Sequence, residues 1–143
     1  MADKIREDKA TSVAELRAAK LGAQVGTTSL DAIKNEVAPA SQPAVFNDTN
    51  DAKTALVNKQ VDGIVADLPT AFILTAAEIP DSTIVGQFPD RGGQTEQFGL
   101  LFAKGNPLVS CVNKALGELK ASGELQQITN QWLAQVGGAP NLT

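Results

Sequence analysis

Short apolar runs recur along the chain, each broken by a cluster of Gly, Thr, Ser, Asp or Asn and followed by a stretch of helical spacing. Lys20 to Val25, Ala44 to Phe46 and Val61 to Ala66 read as strands, with Thr83 to Val85 as a fourth and Phe98 to Ala103 as a fifth. Gly26-Thr27-Thr28-Ser29 reads as a turn and N-cap opening a helix from Leu30 to Val37, with Asp31 in its first turn. Asn47-Asp48-Thr49-Asn50 caps a second helix, whose spacing of Ala52, Ala55 and Leu56 marks a buried face. Pro69 suits the first position of a third helix, to Glu78, whose Phe72, Ile73 and Leu74 predict packing against the sheet. Upstream, Ser12 and Glu15 have the spacing of a capping box. Downstream, two helices are predicted, Leu108 to Ala121 and Gly123 to about residue 135, and the tail from Gly137 to Thr143 is expected to be loose. Strands alternating with helices predict βα units, right-handed crossovers and a mainly parallel sheet.

Composition narrows the chemistry more than the fold. A length of 143 residues suits one domain with a real core, and 43% apolar and 20% charged residues are ordinary for a globular protein. The net charge of −4 argues against a nucleic-acid partner, which needs a basic face. No apolar run approaches the roughly 20 residues of a membrane span. The first ten residues are charged and lack an apolar stretch, so no signal peptide is expected in the chain as given. The absence of histidine and tyrosine excludes Ser-His-Asp catalysis, His metal sites and His acid–base chemistry. A single cysteine, Cys111, can form neither an intramolecular disulfide nor a thiolate zinc cluster. It stands beside the stripe Leu108, Val112, Ala115, Leu116 and Leu119 and reads as a packed, inert thiol, while Trp132 reads as an anchor of the last helix on the sheet. No metal or cofactor is expected.

Two strand-ends carry the candidate chemistry. In open α/β sheets, ligands bind in the crevice beyond the carboxyl ends of the strands. Gly26-Thr27-Thr28-Ser29 opens a helix, whose free N–H groups and positive dipole end favour an anion; a simple helix cap by Thr28 or Ser29 is the alternative. The Gly-Lys-Ser/Thr ending of a phosphate-binding loop and the three-glycine dinucleotide fingerprint are both missing. Asp67 follows Ile64-Val65-Ala66, where the strand leaves the core. It reads either as a cap for the next helix or as the counter-ion of a ligand ammonium. Gln24, just before the turn, reads either as an exposed strand residue or as a ligand-facing amide.

Four runs in register resemble the amino-acid-binding family of solute-binding proteins of ABC transporters: Lys20–Ser29, Asn50–Thr70, Gln97–Pro107 and Val112–Leu133. The resemblance implies a non-enzymatic protein that binds a small amino acid in a cleft between two α/β lobes, outside the cytoplasmic membrane and in partnership with an ABC permease. It implies that Asp67 meets the ligand α-ammonium, that Gly26, Thr27 and Thr28 hold the α-carboxylate, and that Gln24 faces the ligand side chain or the cleft rim. It further implies that this chain carries the second lobe and the C-terminal return, without the first lobe's N-terminal segment, so that binding is weak. The domain expectation is a charged lead-in at 1–11, a ligand-binding lobe at 12–95, and a hinge strand with two helices at 96–143, packed on the same or a swapped lobe. The fold expected is three-layered, with four parallel strands plus one antiparallel hinge strand at Phe98–Ala103, as in one lobe of a type II periplasmic-binding-protein-like fold. A homodimer by strand or domain exchange is the alternative for the hinge strand. Two other readings remain: an interaction or dimerisation module that has lost its ligand, and a dehydratase-like enzyme on the same scaffold.

Overall fold

The computed structural model describes residues 10–88, 99–134 and 139–143. The chain divides into two compact units, Met1–Pro89 with Gly137–Thr143, and Asp90–Val136. The first unit holds a three-stranded, all-parallel sheet in the order β2-β1-β3, formed by β1 (Leu21–Gln24), β2 (Ala44–Phe46) and β3 (Gly63–Ile64). Gly22 pairs with Ala44 on one side of β1 and with Ile64 on the other. A reciprocal pair of bonds locks the entry to β1 and β3: Lys20 N–H donates to the Asp62 carboxylate at 2.8 Å, and Asp62 N–H donates to Lys20 C=O at 2.8 Å.

Three helices follow the strands. α1 (Thr28–Ala32) runs into a π-helical turn at Ile33–Val37, α2 is Thr49–Val57, and α3 (Leu68–Ile73) runs into a second π-helical turn at Leu74–Glu78. α2 lies against all three strands, with Ala52 and Ala55 buried as their spacing predicted. Ile33 and Val37 are fully buried in the core with Leu21, Ala23 and Leu30, so α1 covers the sheet with the face its apolar period marks. Of Phe72, Ile73 and Leu74, Leu74 is buried, in the π-helical turn after α3; Phe72 and Ile73 remain exposed. Ahead of β1, a 3₁₀ helix at Val13–Ala18 inserts Val13 and Leu16 into the same core, and the Glu15 carboxylate reaches back to the N–H of Thr11 at 2.7 Å and of Ser12 at 3.3 Å.

The sheet corrects the expectation of four parallel strands plus one antiparallel hinge strand. Thr83 to Val85 forms no strand, although Val85 packs on the core. The neighbouring ladder groups are occupied instead by the C-terminal tail. Gln87 N–H donates to Pro140 C=O at 2.8 Å and Gln87 C=O accepts from Leu142 N–H at 2.9 Å, making a single parallel bridge to Asn141. Residues 99–103 form no strand either; Leu101 is fully exposed. Their apolar character has no described sheet edge to answer it. Phe98, the first residue of the expected hinge strand, lies outside the described residues, as does most of the lead-in.

The tail corrects a further expectation, since its last residues are docked. Leu142 is buried in the first unit's core, Thr143 C=O accepts from Val13 N–H at 3.0 Å, and Thr143 N–H donates to Thr11 C=O at 3.0 Å. Gly86 is shaped to this docking: a Cβ there would stand 2.6 Å from Leu142 Cδ2 and 2.9 Å from Pro140 C=O.

The second unit contributes α4 (Leu108–Ser122) and α5 (Glu124–Thr129, continued by a π-helical turn Asn130–Ala134), joined at Gly123 in the left-handed region. No residue of α4 or α5 is buried. The Cys111 thiol and Trp132 are both exposed.

Candidate functional site

The site is built where β1 and β3 end and their helices begin. β1 closes at Gln24, Gly26 turns the chain at φ +72°, and Thr27 becomes the N-cap of α1. Only a residue tolerant of that φ turns the chain so sharply into a helix. The Thr27 hydroxyl donates to Gln24 C=O at 2.8 Å and accepts from Leu30 N–H at 3.3 Å. The cap is therefore Thr27 rather than Thr28 or Ser29, and its hydroxyl is spent on the turn. Thr28 and Ser29, the first two helical residues, have N–H groups with no carbonyl within the helix to meet them.

The second strand-end is arranged in the same way. Asp67 is the N-cap of α3: Oδ1 accepts from Thr70 N–H at 3.0 Å and Oδ2 from the Thr70 hydroxyl at 2.8 Å. Pro69 sits in the first turn, one place later than expected, where its missing N–H costs nothing. The capping alternative for Asp67 describes the structure as it stands. Each carboxylate oxygen nevertheless has a second lone pair, and the residue is exposed.

Between the two ends lies a notch of about 50 Å³. Gln24, Thr27 and Ser29 line it from the β1 side, Ile64 to Asp67 from the β3 side, and Thr49 and Ala52 of α2 from the flank. Its size matches one or two waters, so it can take an end group of a ligand rather than enclose one. Of the residues singled out in the sequence, Gln24, Thr27 and Asp67 come together here. Gly26 and Thr28 are exposed beside the notch and do not line it.

Two lining residues escaped the sequence reading as ligand-facing groups. Ser29 enters the sequence reading within the Gly26–Ser29 turn or as a cap, and not among the residues that the resemblance implies touch the ligand. Thr49 stands at the first helical position after β2, and its hydroxyl donates to Gln24 Oε1 at 3.2 Å. The signal was available: Thr49 opens the helix after β2 as Thr28 opens the helix after β1. A wider groove of about 310 Å³ adjoins it between α2 and α3, lined by Thr49, Asn50, Thr70, Ile73, Leu74 and Glu78. In that groove the Glu78 carboxylate is paired with Lys53 Nζ at 2.6 Å; among the described residues, Asp67 is the one charged side chain lining the notch. Among the described residues, no group of three or more Cys, Asp or Glu side chains comes together as a metal site.

A family model described as bacterial extracellular solute-binding proteins, family 3, matches residues 7–135. No curated protein matches the chain. No helix among the described residues is long and apolar enough to cross a membrane.

Proposed function

We propose, because the chain belongs to the bacterial extracellular solute-binding proteins of family 3, that its first unit holds an amino acid at the notch where β1 and β3 end. As a member of that family it is a non-enzymatic solute-binding protein related to ABC transport. Within that role, the free N–H groups of Thr28 and Ser29 receive the ligand carboxylate, and Asp67 receives its ammonium through the lone pairs left by Thr70. The observation that carries the reading is the convergence of Gln24, Thr27, Ser29 and Asp67 on one notch. In this proposal residues 12–95 are the second lobe of a periplasmic amino-acid-binding protein. Residues 96–143 are the hinge region and C-terminal helices, and an ABC permease is the partner. One lobe supplies one wall of the cleft, so the affinity is low. Calorimetry of the full chain against the common amino acids tests this. Saturable heat lost in Asp67→Ala, with the helical signal retained, supports it; no saturable heat with any of them overturns it.

One observation favours a second reading. α4 and α5 bury no residue and leave Leu108 and Trp132 57% and 63% exposed. In this reading a second copy of the chain covers that stripe, by exchange of the segment from residue 98 onward. Light scattering that gives a monomer at high concentration removes it.

A further inference from the structure

We propose that residues 139–143 sit in an exchangeable peptide seat on the first unit, and that this seat takes the same extended, leucine-anchored segment from a second copy of the chain. The inference stands apart from the notch. It goes beyond the second reading above by placing the contact between copies in the first unit, without using the stripe of α4 and α5. The segment is held as a bound peptide is held, by main-chain bonds on both flanks and one side chain in a pocket. On one flank, Gln87 N–H donates to Pro140 C=O at 2.8 Å and Leu142 N–H donates to Gln87 C=O at 2.9 Å. Gln87 Nε2 adds a bond to Ala139 C=O at 2.9 Å. On the other flank, Thr143 N–H donates to Thr11 C=O and Val13 N–H donates to Thr143 C=O, both at 3.0 Å. Val13 opens the 3₁₀ helix, so its N–H has no partner within that helix and is free for this role. Within the segment Leu142 alone is buried; Pro140, Asn141 and Thr143 are exposed. Gly86 walls the leucine pocket so closely that a methyl there would collide with Leu142. The seat thus recognises an extended backbone and a single leucine.

The segment reaches this seat from far along the chain. Gln87 and Ala139 are 52 positions apart, and the residues between them include the whole second unit rather than a tight turn. Closing so long a loop gives the chain's own segment only a limited advantage over one presented from outside. A second copy's segment would make the same bonds and fill the same pocket, so exchange sacrifices no contact. Every copy carries the sequence whose fit is seen in the first unit, which makes a second copy the occupant.

Fluorescence anisotropy of a labelled, amidated peptide of residues 137–143, titrated with the full chain, tests the seat. The peptide should bind Leu142→Ala, whose own anchor is shortened, roughly tenfold tighter than the parent, where the resident segment competes. The same peptide carrying Leu142→Ala should bind neither. Adding Gly86→Ala to the Leu142→Ala chain should abolish binding, because the methyl occupies the pocket. Light scattering then tests the second copy. An equimolar mixture of Gly86→Ala, with a blocked seat and an intact segment, and Leu142→Ala, with an open seat, should have a higher mass than either alone. Circular dichroism checks that the variants are folded; if they are not, titration of the parent with the two peptides decides. No saturable binding to folded Leu142→Ala, or to the parent in that case, overturns the proposal. So does binding indifferent to the peptide's leucine or to Gly86→Ala. Peptide binding with no gain in mass on mixing overturns the second copy as the occupant, and with it the proposal.

Discussion

Replacing Gly86 by alanine should destabilise the first unit through one identifiable collision. The new methyl would stand 2.6 Å from Leu142 Cδ2, 2.7 Å from Leu142 Cγ and 2.9 Å from the Pro140 carbonyl oxygen. Overpacking of this kind costs about 1–3 kcal/mol. Leu142→Ala should cost about 2–5 kcal/mol, since it empties a buried leucine site in the core. The two changes should not add. Once Leu142 is shortened, the methyl at position 86 enters the vacated space, and only the contact with the Pro140 oxygen remains. A coupling of about 1 kcal/mol or more is therefore expected, well above the roughly 0.3–0.5 kcal/mol scatter of independent sites. Urea unfolding of the full chain and its three variants, followed by far-UV circular dichroism, measures all four corners of the cycle. Fluorescence of Trp132, which lies in the second unit, is the comparison probe. Additive costs would refute the assignment of the collision to Leu142. So would a Gly86→Ala protein as stable as the parent, because the tail would then have another seat.

Ala38 closes the helical run of α1 in the left-handed region at φ +46° and is exposed, so Ala38→Gly should raise stability by about 1 kcal/mol in the same urea experiment. The Glu15 carboxyl is held below its ordinary range by the N–H groups of Thr11 and then Ser12. A folded-state value below the unfolded one means that this contact stabilises above the ordinary glutamate range and is lost as the pH falls through the lowered value. Carboxyl chemical shifts should place its midpoint below 4.5, the ordinary value, and Glu15→Gln should remove the corresponding part of the acid dependence. Cys111 is exposed, so a thiol reagent should modify it in the folded chain at nearly the rate seen in urea; strong protection would mean that another surface covers α4.

The first unit was legible where local pattern and tertiary packing agree. Ala44 to Phe46 matches its strand residue for residue, and Ala52 and Ala55 are buried as their spacing required. The capping chemistry of Asp67 was also readable, because an aspartate between a strand and Pro69 has few other conformational uses. What the pattern missed depends on distant partners. Thr83 to Val85 has strand-like composition, but the nearby backbone groups of Gln87 serve Pro140 and Leu142, residues that lie some fifty positions away and looked like a loose end. Residues 99–103 show the converse, an apolar run that no described strand pairs. The Gln24–Thr49 contact joins residues 25 positions apart and becomes visible only once β1 and β2 are side by side.

The docking of Leu142 beside Ala10 and Val13 also has a bearing on the order of synthesis. A chain leaving the ribosome exposes β1 to β3 early, with their short crossovers available for pairing at once. The seat beside Gly86 cannot be filled until residue 142 has emerged. Until then Val85 and the 3₁₀ helix face a core with one wall open, and the Thr11 carbonyl lacks the Thr143 N–H that meets it in the finished fold. Completion of the first unit therefore waits on Pro140 and Leu142, about fifty positions beyond the Gln87 groups they meet, a long-range closure that is slow compared with the pairing of neighbouring strands.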